Sequence, residues 1–387
     1  MGEFNLMKAH IIASIDGHSS CIHRRAAKNN VSSVEPAVLM ENGTTKMMTG
    51  NLTAEEKPQI KAENINAVCS EHQIAVNEYK KLRKLLRYDE APKYLQFNSY
   101  IRNGYRNLLP TKLCLESIFW WTNETINIWS HIFGWFLFLG LSFVDITFLN
   151  IHATTQDKIV VCALLICFQM CMILSSVYHT FSCRSEKDYD CFLAYDLFGI
   201  ALSLFAIYIS GIYYAFWCHD NLRNFYIFTV GAIFITALIL QIPKLKVHSN
   251  VKMLMFVAWA AYGVIPTIHW TIEMGGFENT MVRLLIPRVI GMYIIVGLAF
   301  LIYITRIPER WFSGKVDYLG HSHNLWHILV VCALYYWHNT GEFSALGHAK
   351  KKKKQTDLHS LSLAFSFLFE NVHFDRFSSF CLCHVAK

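Results

Sequence analysis

An all-α fold, a seven-transmembrane helix bundle, is what this sequence predicts, and two observations predict it. Hydrophobic residues make up 53% of the 387 and charged residues only 16%, where soluble proteins average about 25% charge. The apolar residues also gather into long runs, each near the roughly 20 residues that a hydrocarbon core requires. A soluble domain with one large core would not segregate them in this way.

The chain divides into four parts. Residues 1–75 are polar, rich in Asn, Ser, Thr and Glu, and read as a disordered cytosolic extension. Residues 76–125 form a cytosolic juxtamembrane segment. Within it, 79–88 alternates Tyr79, Leu82, Leu85 and Leu86 with Lys80, Lys81, Arg83, Lys84 and Arg87, the pattern of an amphipathic helix on an anionic leaflet or on its own protein. Residues 126–341 hold the seven spans, placed near 127–149, 159–181, 193–217, 225–242, 253–272, 289–306 and 322–340. Pro266 is expected to kink the fifth, because proline lacks the N–H and crowds the preceding turn. Residues 342–387 form a tail beginning near a run of five lysines, Lys350 to Lys354. Its composition raises the reading that it is not native coding sequence.

Basic residues choose the orientation. Lys80, Lys81, Arg83, Lys84, Arg87, Lys93, Arg102, Arg106 and Lys112 precede the first span, and Arg184, Lys187, Lys244, Lys246, Lys252, Arg306, Arg310 and Lys315 lie in loops on the same side. The opposite side has Lys158, Arg223, Arg283 and Arg288, with the lysine run as contrary weight. Early flanks dominate, so the N-terminus is placed in the cytosol. No signal peptide opens the chain, and the first helix is expected to direct insertion. The net charge of +7 comes from these flanks and the lysine run, and does not indicate a nucleic-acid partner. Cys162, Cys167, Cys171 and Cys332 lie in apolar runs and read as small hydrophobes.

Ionisable residues inside a membrane are costly and commonly functional. Glu124, Asn127 and His131 share one helical face at the start of span one. His179 ends span two and Asp196 opens span three. His323 and His327, four apart, open span seven on one side of a helix. With alternating spans, all four groups fall at one membrane depth near the cytoplasmic interface. Three neutral imidazoles and a water make a tetrahedral zinc site with an open position. The expected fold is therefore a bundle with a cytosolic N-terminus and an intramembrane zinc site, its metal ligands His179, His323 and His327. Asp196 would hold the water or act as general base. Ser175, one turn before His179, would bind a substrate carbonyl if the site is hydrolytic. Glu124, Asn127 and His131 are candidates for supporting the ligands or for polar helix packing. His321 is expected on an exposed loop, His269 beside Trp270 as an interfacial anchor, and Asp145 at the far interface without a role.

At these residues the sequence resembles the progestin and adipoQ receptor family. The stretches that carry the likeness are SYIRNGYRNLLP, NETINIWSH, Ser175 to His179, LAYDLFGIALS around Asp196, GVIPTIHW at 263–270 and SHNLWHILVV at 322–331. The likeness covers about residues 77–340. It implies seven helices, a cytosolic N-terminus and zinc on the same three histidines. It implies either a receptor or scaffold for adiponectin-, steroid- or lipid-type ligands or a ceramidase-like amide hydrolase acting on sphingolipids. The branch it looks most like implies residence in the Golgi membrane and retention of a Raf-type kinase through the cytosolic N-terminal region, damping MAP-kinase signalling. A G-protein-coupled receptor is disfavoured. Span three ends in YAFWCHD without an acidic-Arg-aromatic triplet, and span seven lacks an NPxxY pattern.

Overall fold

A computed structural model describes residue 70 and residues 73–152 and 155–352. The expected disordered extension and most of the tail lie outside them. Residues 73–83 form a helix of a unit that ends at Lys84. The expected amphipathic helix over 79–88 is therefore cut short. From Leu85 the chain joins the second unit, and Leu86 pairs as an isolated antiparallel bridge with Tyr105 through hydrogen bonds of 2.7 and 3.1 Å. That backbone pairing, joined by Tyr88 N–H to Arg102 O at 2.9 Å, outcompetes helix propensity.

In the second unit the helices are α1 Thr111–Glu116, α2 Thr125–His152, α3 Thr155–Phe181, α4 Glu186–Ala215, α5 Asp220–Gln241, α6 Ser249–Tyr262, α7 Val264–Glu273, α8 Thr280–Thr305 and α9 Ser322–Lys352. Among the described residues six segments are long and apolar enough to cross a membrane: α2, α3, α4, α5, the α6–α7 pair and α8. α9 stands where the seventh span is expected. It falls short of that apolarity because Ser322, His323, Asn324, His327 and His338 interrupt its apolar residues. α9 packs against both α8 and α2, which brings the first and last of these helices together.

Local chemistry explains the boundaries. Pro266 has no N–H to offer the carbonyl of Tyr262, four residues back, and the helix breaks at Gly263, between α6 and α7. Ser185 Oγ caps α4 by accepting from Asp188 N–H at 3.1 Å, an N-cap bond that satisfies an otherwise free donor. Because that cap sits at 185, α4 begins earlier than the expected 193, and Asp196 lies in its third turn rather than its first. Asn279 caps α8 in the same way, so this helix too starts before the expected 289.

Among the described residues, two apolar clusters pack between the helices. Phe138, Leu164, Phe168, Met172 and Leu334 are buried together, while Tyr208, Phe216, Tyr226, Trp259 and Trp270 centre the other. α3 and α4 pack closely where Gly199 meets Cys171: a Cβ on Gly199 would lie 2.9 Å from the Cys171 Cα. Gly199→Ala must push the two backbones apart, and overpacking of this kind costs about 1–3 kcal/mol. A lowered midpoint of thermal unfolding in detergent is the expected result; an unchanged midpoint would show that the helices part freely there.

Candidate metal centre

The site is built from helix ends. His179 sits in the last turn of α3, and His323 and His327 in the first two turns of α9. One ligand-capable atom from each of the three lies within 4.8 Å of the others. Ring centroids stand 5.2 Å apart for His179 and His323, 4.6 Å for His179 and His327, and 4.7 Å for His323 and His327.

Two of the imidazoles are held from behind. His179 Nδ1–H donates to Glu124 Oε2 at 2.8 Å, and Asn127 Nδ2 donates to the same oxygen at 2.7 Å. Asn324 Nδ2 donates to Asn127 Oδ1 at 2.7 Å, bringing α9 into the chain. His327 Nδ1 meets His131 Nε2 at 2.8 Å. With the Nδ1 hydrogens so directed, the Nε2 lone pairs turn inward. His179 Nε2 is buried without a hydrogen-bond partner, and the Nε2 atoms of His323 and His327 are 3.2 Å apart. At that distance the two nitrogens can share either a proton or a cation. Tetrahedral zinc with nitrogen ligands near 2.05 Å places those nitrogens roughly 3.3 Å apart, so the donor set fits zinc in type, and the His323–His327 pair fits it in spacing.

Asp196, in α4, is buried, and its carboxyl interacts with His179 and with the Ser175 hydroxyl. Ser175 is buried too, and its Oγ makes no hydrogen bond of normal geometry. Glu124 precedes α2 and is nearly fully buried. Burial alone would push its carboxyl up; His179, Arg106 and the hydrogen bond from Asn127 overcome this and hold it well below the usual carboxylate range.

The structure thus brings His179, His323, His327, Asp196, Ser175, Glu124, Asn127 and His131 into one region. Two expectations need correction. His321 is not on an exposed loop: it is buried, and Nε2–H donates to Asn123 O at 3.1 Å. Asp145 does have a partner, His338 of α9 at 2.8 Å, with both side chains buried. His269 bonds to Tyr226 Oη through Nδ1 at 2.7 Å.

Other residues were not singled out from the sequence. Arg106, counted there only as a basic flank, is buried. Its guanidinium donates to Thr180 O and Ser117 Oγ, each at 2.9 Å, to Ser182 Oγ at 3.3 Å and to His179 O. It therefore fastens the free carbonyls at the C-terminus of α3, the natural place for a cation. Glu309 accepts from Asn98 Nδ2 at 3.0 Å and from Ser322 N–H at 2.6 Å. Asp317 accepts from the N–H groups of Arg102 and Asn103 at 3.1 and 2.9 Å. Arg106 lies in IRNGYRN, which reads as an ordinary charged flank, and Glu309 and Asp317 carry no local sequence signal.

Fold and site together define a multi-pass membrane protein with a three-histidine cluster at one end of its helices. Residues 119–338 match the haemolysin-III-related family. The chain is 43% identical to progestin and adipoQ receptor family member 3 of Mus musculus and of Homo sapiens, over 66% of this chain and 85% of each relative. It is 28% identical to heptahelical transmembrane protein 3 of Arabidopsis thaliana, over 65% of this chain and 84% of that protein. The chain belongs to the haemolysin-III-related family, and within it to the progestin and adipoQ receptor family.

Arg106→Met leaves the carbonyls of His179 and Thr180 buried without their donor, at about 1–3 kcal/mol per unsatisfied group. Its unfolding midpoint in detergent is expected to fall well below the wild type's; an equal midpoint would show that water replaces the guanidinium at no cost.

Proposed function

We propose that this chain is a seven-span receptor- or scaffold-type membrane protein that holds one zinc ion on His179, His323 and His327. Its N-terminus is cytosolic, and α9 supplies the seventh span. The observation that carries the metal reading is the inward convergence of three imidazoles, two of them oriented by a buried partner. Glu124 fixes the His179 ring, Asn127 steadies Glu124, and His131 fixes His327, the kind of support that sets ring orientation and ligand basicity. Golgi residence and retention of a Raf-type kinase through residues 76–112 belong to the same proposal. Their support is the identity to member 3 and the basic character of the N-terminal region.

A second reading, a zinc-dependent hydrolase of an amide-bearing lipid such as a sphingolipid, is favoured by Asp196 and Ser175. A bound zinc would supply a Lewis acid and a water whose pKa falls to about 7. Asp196 would take a proton from the attacking water, and the Ser175 hydroxyl beside it would orient the substrate carbonyl. The burial of both side chains excludes bulk water and strengthens these interactions.

Metal analysis of the purified chain is expected to give one zinc per protein, with His323→Ala losing it and Glu124→Gln weakening retention against a chelator by about 10–100-fold. Wild-type protein purified without stoichiometric metal would overturn the zinc reading. Deleting residues 76–112 is expected to release a co-expressed Raf-type kinase from Golgi membranes, and unchanged kinase distribution would reject the scaffold. Zinc-loaded protein that turns over no ceramide would reject the hydrolase and leave a structural metal.

A further inference from the structure

Two buried cysteines outside the histidine cluster stand in a reactive arrangement. Cys114 lies in α1 and Cys183 in the turn after α3, and their sulfurs are 3.8 Å apart. Their exposures are 0% and 1%, so their pairing is fixed by packing. Cys114 Sγ lies 3.4 Å from Leu109 O, and Leu109 N–H donates to Cys183 O at 3.3 Å. Arg106 donates to Ser117 Oγ and Ser182 Oγ, which places a permanent cation beside both cysteines. A small cleft lined by Cys183, Arg106, Glu124, Ser182 and Tyr105 reaches the pair from the Cys183 side.

The two thiols are unequal. The hydrogen bond with Cys114 brings Cys183 down to about 7; burial opposes this and Arg106 adds to it. The same hydrogen bond, with burial, pushes Cys114 up. A thiolate beside a cation is the nucleophilic form of cysteine, and a neutral thiol in contact with it is placed to resolve a sulfenic acid.

We propose that Cys183 and Cys114 are a redox modification site that takes a small hydroperoxide and closes to a disulfide. The Cys183 sulfur attacks one peroxide oxygen, the O–O bond breaks, and Cys183 becomes a sulfenic acid while the departing oxygen leaves as water with the former thiol proton. The Cys114 sulfur then attacks Cys183, the S–O bond breaks, and the hydroxyl leaves as a second water with the Cys114 proton. Two thiols lose two electrons in total and hydrogen peroxide is reduced to two waters. Closing 3.8 Å to the roughly 2.05 Å of a disulfide draws α1 against the turn whose carbonyls Arg106 holds. The bond would covalently join the N-terminal segment to the helix end that carries His179. None of these steps requires a metal.

The test uses the full chain, reduced, desalted and titrated with hydrogen peroxide, followed by alkylation and peptide mass spectrometry. An intramolecular Cys114–Cys183 disulfide is expected within the dose range that oxidises the exposed Cys191 and Cys218. Cys114→Ser should leave a dimedone-reactive sulfenic acid on Cys183, and Cys183→Ser should leave Cys114 reduced. Cys183 remaining reduced while Cys191 and Cys218 are oxidised would overturn the proposal, as would wild-type oxidation of Cys114 in Cys183→Ser. The wild-type dose series decides the matter alone if either variant fails to fold.

Discussion

A carboxylate taken out of water costs several kcal/mol unless hydrogen bonds and opposite charge replace its hydration. Glu124 meets that condition through groups drawn from different parts of the chain. His179 Nδ1–H and Asn127 Nδ2 both donate to it, its own N–H is held by Thr122 Oγ1 at 3.2 Å, and Asn324 extends the network into α9. Because no member is satisfied unless the others are in place, the ends of α2, α3 and α9 are fixed in register. The histidine geometry follows from that register.

The segment before α2 is extended and carries little regular structure, yet it is held closely. Asp317 accepts its backbone at Arg102 and Asn103, Glu309 accepts Asn98, and Arg106 reaches the end of α3. Backbone N–H groups of Arg102 and Asn103 that a helix or sheet would have satisfied are met here by the Asp317 carboxylate from the loop before α9. His321 is buried beside the segment, bonded to Asn123 O. The segment reaches the histidine cluster at Phe97, 6.2 Å from the His323 ring centroid to centroid, and α8 reaches the same ring through Tyr303 at 6.0 Å.

The opposite region of α2 and α9 repeats the rule on a smaller scale. Asp145 and His338 pair at 2.8 Å out of contact with water. Between this pair and the histidines lie Phe138 on α2 and Leu334 on α9, packed with Phe168 of α3. That apolar layer separates the two polar centres along α2 and α9.

The sequence by itself determined the helical, membrane-spanning class, the kink of the fifth span and the residues of the histidine cluster. Apolar run length, proline's missing donor and i, i+4 spacing are local properties, and the rarity of ionisable groups in apolar helices made His179, Asp196, His323 and His327 visible. Tertiary structure alone decided which partner each polar group meets. Arg106 resembled its neighbouring basic flanks until the C-terminus of α3 met it. His321 resembled a loop residue until the N-terminal segment closed over it. Asp145 had no visible role because His338 is 193 residues away, and Cys114 and Cys183 are 69 apart. Periodicity cannot report pairings over such separations; they exist only after the helices have packed.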